Sequence, residues 1–225
     1  MNNFDWKQLL NPEFYILLEL GGFQIGLIVV LFIVFAETGL LAGFFLPGDS
    51  LLFLAGIYSE TLMAQIATPS SFLNVTVLSS LVAIMAILGN MTGYWFGAKS
   101  GPYLYKRQDN MFFKQQYLHQ SKEFFSKYGS KAIVFARFLP IVRTFAPVVA
   151  GLVAMDKKKF MFYNILGSFI WSFTMIFSGH YLYEVCLKEL KLDLKHYIEY
   201  IVIAIILLTT VPVLIKLLKK SPEIK

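Results

Sequence analysis

Charged residues are scarce in this chain of 225 residues, of which only 15% are Asp, Glu, Lys or Arg. A soluble globular protein carries about 25% charged residues. Apolar residues instead make up 57% of the chain, and several uncharged runs are long enough to cross a bilayer. This composition excludes disordered, collagen-like, coiled-coil and disulfide-scaffold proteins, and it predicts an integral membrane protein.

Cysteine is nearly missing, and catalytic motifs are missing altogether. Cys186 is the single cysteine, so an internal disulfide is excluded, and no companion ligands for a metal site accompany it. No Gly-x-Ser-x-Gly, His-Glu-x-x-His or paired-cysteine motif occurs, and Lys99-Ser100 lacks the glycine spacing of a phosphate-binding loop. We therefore predict no metal site, no cofactor and no enzymatic activity.

Histidine offers few proton carriers, since the chain has three. His119 and His196 fall in connections between apolar segments, and only His180 lies within one. Near the end of a membrane span, a histidine is more often a hydrogen-bonded residue than a proton relay. We favour the hydrogen-bonded role for His180 and keep the relay as the alternative.

The net charge of +6 raises the question of nucleic-acid binding. Lys and Arg lie mainly between apolar segments, as they do in membrane proteins, and no nucleic-acid-binding motif accompanies them. We therefore predict no nucleic-acid partner.

Four apolar stretches approach or exceed the length of a membrane-spanning helix, which needs about 20 residues. They are residues 14–36, 75–96, 160–183 and 197–218. Within the second stretch and just beyond it, glycines recur every four residues and so line one helical face, which predicts close packing against a neighbouring backbone. These glycines are Gly89, Gly93, Gly97 and Gly101.

Two further apolar stretches, 37–59 and 132–155, contain prolines near their middle. Proline removes an amide donor and clashes with the preceding turn, so each stretch should bend there and form a re-entrant hairpin. The bends are assigned to Pro47, Gly48, Pro140 and Pro147. Because Phe45-Leu46-Pro47 is echoed by Phe138-Leu139-Pro140, the two hairpins form an inverted repeat if they enter from opposite faces.

The basic residues predict the orientation of this arrangement. Fifteen of them fall on one side of the membrane, three on the other, and two within it, so both termini are predicted to be cytoplasmic. The fifteen are Lys7, Lys99, Lys106, Arg107, Lys114, Lys122, Lys127, Lys131, Lys157, Lys158, Lys159, Lys216, Lys219, Lys220 and Lys225. Hairpin 37–59 then enters from outside and hairpin 132–155 from the cytoplasm. For the Lys157–Lys159 cluster we favour a topology anchor, with a lipid-headgroup site as the alternative.

The connection 99–131 is too long for a bare loop. Its aromatic residues recur at helical spacing among Lys, Gln and Ser, which predicts an amphipathic helix on the cytoplasmic membrane surface or packed against the bundle. The predicted fold is thus an all-α integral membrane protein with one membrane domain over residues 1–225. It contains about four transmembrane helices, two oppositely oriented re-entrant hairpins, this amphipathic helix and a cytoplasmic tail, 219–225.

Four charged residues fall in the hairpin segments, where isolated charges are costly: Glu37, Asp49, Arg137 and Arg143. We predict that they face one another or a water-filled cavity. One hypothesis is structural ion pairing between the hairpins. The other is functional: the arginines bind a phosphate through their planar guanidinium groups, while Glu37 and Asp49 handle protons or act as a gate.

Segment 135–151, which contains Arg137, Pro140, Arg143 and Pro147, closely resembles the signature of the DedA family, the bacterial members of the VTT-domain superfamily. Glu37 and the Leu46–Asp49 turn match the other half of the signature. Further matches are Gly89–Tyr94, Lys127–Gly129 and Tyr163–Trp171, and the resemblance covers roughly residues 20–185. Asn90 departs from the pattern, because many relatives carry an acid there.

The resemblance implies a transporter of the bacterial inner membrane with facing hairpins and a dependence on the proton motive force. It implies flipping of undecaprenyl phosphate or phosphatidylethanolamine across the bilayer, and of these we favour undecaprenyl phosphate, moved from the outer to the inner leaflet. It assigns substrate binding to Arg137 and Arg143 and proton coupling or gating to Glu37 and Asp49. The alternatives are a phosphatidylethanolamine flippase or passive scramblase and, from another class, a non-transporting assembly or osmotic-response factor. The oligomeric state stays open.

Overall fold

A computed structural model describes residues 12–20, 23–39, 48–64, 66, 70–104, 131–137, 140–189, 191, 193–197, 200 and 204. Within this part of the chain, the regular structure is helical except for two strands of two residues each, β1 Glu19–Leu20 and β2 Phe23–Gln24. The strands pair antiparallel, with Glu19 opposite Gln24. The predicted helical class is confirmed apart from this short ribbon.

The helices are named in chain order. They are α1 Pro12–Ile16, α2 Gly26–Gly39, α3 Gly48–Ile57, α4 Ser59–Met63, α5 Ser71–Leu104, α6 Ala132–Ala136, α7 Pro140–Leu152 and α8 Lys157–Glu189, followed by a 3₁₀ turn at Leu194–Tyr197.

Helices α5 and α8 are long and apolar enough to cross a membrane, with candidate spans of 31 residues at Ser71–Gly101 and 33 residues at Lys157–Glu189. At 1.5 Å per residue, each exceeds the roughly 30 Å of a bilayer core. They contain the predicted stretches 75–96 and 160–183, whose helical structure is confirmed.

The prediction of one continuous span over 14–36 is wrong. The segment is divided by the β1–β2 ribbon, and α2 begins only at Gly26 and has 14 residues. Gly21-Gly22 and the charged Glu19 fall at this interruption in the sequence, and glycine is among the poorest helix formers. Because hydropathy is continuous along the segment, it did not indicate this break.

In both proline-containing segments, a helix begins at or directly after a proline. Helix α2 ends at Gly39 and α3 begins at Gly48, directly after Pro47. Helix α6 ends at Ala136 and α7 begins at Pro140, a first-turn position that proline suits because its missing amide has no partner there in any case. Helices α6 and α7 pack against each other. The helix starts at Gly48 and Pro140 agree with the predicted bends, but residues 40–47 and 138–139 lie outside the described residues. The bends and the re-entrant course of each segment stay predictions.

Pro147 does not end a helix, and its assignment as a bend stays a prediction. It lies inside α7, which continues to Leu152. Proline is tolerated within helices of membrane proteins because neighbouring groups satisfy the freed backbone carbonyl. A Cβ placed on Gly93 would lie 3.4 Å from Pro147 Cβ, so the proline ring packs on a glycine of α5.

The predicted connection 99–131 begins later than expected, since residues 99–104 belong to α5. Residues 105–130, most of the fourth predicted span 197–218, and the tail 219–225 lie outside the described residues. The amphipathic helix, the fourth span and the single-domain organisation over 1–225 stay predictions.

The described residues form two compact units. Unit 1 draws on residues 1–30, 47–78 and 175–225, and unit 2 on residues 31–46 and 79–174. In unit 1, α3 packs on the C-terminal part of α8, where a Cβ on Gly56 would collide with the carbonyl oxygen of Ile176. Asn74 Nδ2 donates to Glu60 Oε2 at 2.8 Å in the same unit.

In unit 2, the predicted glycine face of α5 is confirmed as a close-packing surface. A Cβ on Gly97 would collide with the carbonyl oxygen of Val148 in α7, and one on Gly151 of α7 would collide with the carbonyl oxygen of Tyr94. Helices α5 and α7 thus meet backbone to backbone, which small residues permit. Ile133, Ala150 and Phe160 form the buried apolar cluster of this unit.

Candidate functional site

Glu37 and Arg143 form a buried ion pair in unit 2. Glu37 lies in the last turn of α2 and is 0% exposed, while Arg143 lies near the start of α7 and is 8% exposed. Arg143 Nη2 donates to Glu37 Oε1, and the guanidinium carbon lies 5.1 Å from the ring centroid of Trp171 in α8. Charge-assisted hydrogen bonding and a cation–π contact together hold the Arg143 head in place.

Arg137 is also buried, at 5% exposure, at the C-terminal end of α6. Its Nη2 donates to Asn164 Oδ1 at 2.6 Å and Ser168 Oγ at 2.6 Å, and lies 3.3 Å from the Asn164 carbonyl oxygen. Within the described chain these partners are all uncharged, and Nε has no hydrogen-bond partner there. Arg137 is therefore held in position without having its charge neutralised.

Asn164 connects three helices around this arginine. Its Oδ1 also accepts from Asn90 Nδ2 of α5 at 2.8 Å, and its Nδ2 donates to the Ile87 carbonyl oxygen at 3.2 Å. Ser168 Oγ in turn donates to the Asn164 carbonyl oxygen at 2.8 Å. Such a network fixes side-chain orientation because each member restrains the next.

Gly167 provides room for the Arg137 side chain. A Cβ at Gly167 would lie 2.9 Å from both Cδ and Nε of Arg137. A larger residue at this position of α8 would displace the guanidinium from its hydrogen-bond partners.

The buried charges of unit 2 do not balance among the described residues. They comprise Arg137 and Arg143 against Glu37, two positive charges and one negative, which leaves a net charge of +1. A buried site with excess positive charge attracts an anion.

Asp49 belongs to unit 1. It lies in the first turn of α3, is buried, and follows Gly48 at the helix start. A carboxylate there interacts favourably with the amide groups of the helix N-terminus. Its predicted role beside the arginines stays a prediction, and its neighbour Pro47 lies outside the described residues.

His180 is buried in unit 1 and is hydrogen-bonded on both ring nitrogens. Nδ1 lies 2.9 Å from Ser59 Oγ and Nε2 lies 3.2 Å from Ser71 Oγ. The hydrogen-bonded role that we favoured is confirmed. Among the described residues, no group of three or more His, Cys, Asp or Glu side chains could hold a metal ion.

Three residues of α8 that contact the two arginines were not predicted to belong to the site: Asn164, Ser168 and Trp171. A usable signal was present, because positions 164, 168 and 171 follow the i, i+4, i+7 spacing of one helical face. Polar residues on one face of a membrane-crossing helix are costly unless they have partners, so that face should have been assigned to the site.

Comparison with known proteins identifies the family. The VTT domain model matches residues 46–181. Over 186 residues the chain is 39% identical to an uncharacterized membrane protein of Mycobacterium tuberculosis, Rv0364, covering 83% of this chain and 76% of that one.

Two Escherichia coli K12 proteins are also similar. Protein DedA is 34% identical over 191 residues, covering 85% of this chain and 81% of that one. Inner membrane protein YqjA is 31% identical over 179 residues, covering 79% of this chain and 73% of that one. No solved structure matches the chain. With two membrane-length apolar helices and this similarity over most of its length, the chain belongs to the DedA family of VTT-domain membrane proteins.

Proposed function

We propose that the chain is a transporter that moves an anionic lipid across the bacterial inner membrane. The substrate favoured by the family resemblance is undecaprenyl phosphate, carried from the outer to the inner leaflet. The observation that carries the proposal is the excess positive charge buried around Arg137. A charge within the bilayer costs at least about 2.5 kcal/mol, and a phosphate headgroup supplies the missing counter-charge.

Arg137 is suited to this role by its remaining donors. Asn164 and Ser168 engage Nη2, whereas Nε has no partner among the described residues. A guanidinium presents a planar fork of N–H groups that matches phosphate oxygens. A headgroup phosphate bound to Arg137 therefore need not break the contacts that orient it.

The Glu37–Arg143 pair supplies a means of coupling to protons. When Glu37 takes up a proton, its attraction for Arg143 weakens, and Arg143 turns towards the lipid phosphate. When Glu37 releases the proton, it recovers Arg143 and the phosphate is released. Asp49 is proposed as a gate that restrains an arginine when no lipid is bound.

The proposed topology follows the predictions of the sequence. Helices α5 and α8 cross the membrane, segments 37–59 and 132–155 enter from opposite faces, and both termini are cytoplasmic. The helix starts at Gly48 and Pro140 and the distribution of basic residues support it. In transporters built this way, the substrate site lies near the midplane of the bilayer.

A leaflet-accessibility assay in proteoliposomes tests the function. We expect undecaprenyl phosphate to cross faster than phosphatidylethanolamine, and an imposed pH gradient to change its rate. Glu37→Gln should retain lipid binding while losing the response to the gradient, because a glutamine cannot exchange the proton. Glu184→Gln, which alters a partly exposed carboxylate of unit 1, is the matched control.

Each alternative has its own outcome in this assay. Faster movement of phosphatidylethanolamine would favour that lipid as the substrate. A parent protein that ignores the gradient would be a passive scramblase. If no lipid crosses, the Glu37–Arg143 pair is structural, and the chain is a non-transporting assembly or osmotic-response factor.

A further inference from the structure

A cavity of about 460 Å³ lies in unit 2, where the C-terminal part of α5 meets the start of α8. Helix α5 contributes Tyr94, Trp95 and Ala98 to its lining, and α8 contributes Lys157, Phe160 and Met161. We call it the α5–α8 cavity. Glu37, Asn164, Ser168 and Trp171, which contact Arg137 or Arg143, do not line it.

The inner wall of the α5–α8 cavity is fixed by aromatic packing. Tyr94 stacks on Phe160 with ring centroids 4.4 Å apart, and Tyr94 Oη donates to the Met155 carbonyl oxygen at 2.5 Å. Phe160 is itself fully buried. Trp95, which also lines the cavity, is 61% exposed. The cavity is thus a preformed apolar slot with an exposed indole at its edge.

The charges near the α5–α8 cavity are mainly positive. Lys157 lines it, and Lys99 Nζ lies 5.0 Å from the ring centroid of Trp95. Lys158 and Lys159 follow in the exposed first turn of α8. The nearby acid, Asp156, accepts a hydrogen bond from the Lys159 backbone N–H at 2.9 Å and so caps the helix. Two lysines therefore flank an apolar slot at the predicted cytoplasmic ends of both helices.

We propose that the α5–α8 cavity binds an anionic phospholipid of the cytoplasmic leaflet. One acyl chain lies against Trp95 and Met161, while Lys157 and Lys99 bind the phosphate. The chemistry is complementary because basic pockets between membrane helices bind acidic headgroups, and indole rings favour the headgroup level. This lipid stays with the protein and is distinct from the transported one. Within the Lys157–Lys159 cluster, Lys157 then binds lipid in addition to anchoring the topology.

Tryptophan quenching tests this site in the purified full chain. The probes are phosphatidylglycerol and phosphatidylcholine with brominated acyl chains, each added at increasing mole fraction to detergent micelles. The emission of Trp95→Phe is subtracted from that of the parent, which isolates the Trp95 signal. We expect brominated phosphatidylglycerol to quench this signal at about a thirtyfold lower mole fraction than phosphatidylcholine, the preference that two lysines near a membrane surface provide.

Lys157→Ala and Lys158→Ala form a matched pair, since each removes one exposed charge from the same turn and only Lys157 lines the cavity. Lys157→Ala should lower the preference for phosphatidylglycerol to about fivefold, since Lys99 remains, and Lys158→Ala should retain the parental preference. Equal quenching by the two lipids in the parent would overturn the proposal, as would equal effects of the two lysine variants. Absence of quenching by either lipid would mean that the slot is filled by something else, and it would also reject the proposal.

Discussion

Glu37 and Arg143 stand 106 residues apart in the sequence and form an ion pair buried inside unit 2. Burial removes both charged side chains from water, which costs free energy. Their mutual attraction offsets this cost only while both charges are present. This dependence allows a proton on Glu37 to act on Arg143. The structural and the functional hypothesis therefore both require Glu37 and Arg143 to be energetically coupled. They differ in whether a change in this pair alters the movement of lipid across the membrane.

Removing one partner of this pair should cost more than removing both. Arg143→Met leaves the Glu37 charge buried without its arginine, and we expect a loss of about 3–5 kcal/mol in the free energy of unfolding. The double variant Glu37→Gln, Arg143→Met should recover most of this loss, since neither member of the pair then leaves its former partner charged. Denaturant unfolding of all four proteins in detergent gives the coupling energy. Additive effects would show that the two residues are not coupled.

Asn164→Ala should weaken phosphate binding because it removes an acceptor that orients Arg137. A hydrogen bond to a charged group contributes about 1.5–3 kcal/mol, so we expect about a tenfold or greater loss of affinity for a phosphate lipid. Asn74→Ala is the control, because it removes a hydrogen bond to a carboxylate in unit 1. Lipid binding measured in detergent separates the two variants. Equal losses would point to a general effect on folding.

Cysteine labelling tests the course of segment 132–155. In a Cys186→Ser background, Lys131→Cys and Lys157→Cys place exposed thiols just before and just after this segment, and Lys188→Cys places one near the other end of α8. A membrane-impermeant maleimide should label positions 131 and 157 from the same face of the membrane, and position 188 from the opposite face. If positions 131 and 157 are labelled from opposite faces, the segment is a simple span.

The parts of the fold that depend on local composition, such as apolar runs and proline positions, were predictable from the sequence. Helices α5 and α8 follow from long apolar runs, and the starts of α3 and α7 follow from Pro47 and Pro140. The span 14–36 was wrong because hydropathy does not detect a short ribbon at a glycine pair. Local sequence indicates apolar helices and proline positions well, and it indicates the length of an apolar helix poorly when glycines intervene.

The site was predictable in residue type but not in pairing. Because buried charges need partners, a contact between an acidic and a basic side chain was expected. The sequence did not indicate that the pair would be Glu37 and Arg143. The neutral partners of Arg137 come from α8, 27 and 31 residues away along the chain, and their positions depend on how the helices pack. Only the tertiary structure distinguishes Arg143, which is paired with Glu37, from Arg137, whose described partners are uncharged.

The charge of Arg137 is the centre of this account, and Arg137→Met tests it most directly. The measurement is the rate at which undecaprenyl phosphate crosses proteoliposomes, together with the unfolding midpoint of the same protein. We expect transport to fall by about a hundredfold, because the phosphate loses its charged donors. The midpoint should stay equal or rise, because a buried charge without a counter-ion has been removed. Transport by Arg137→Met at the rate of the parent protein would contradict this role of Arg137. A large fall in the unfolding midpoint would also contradict it, because it would make Arg137 a structural residue.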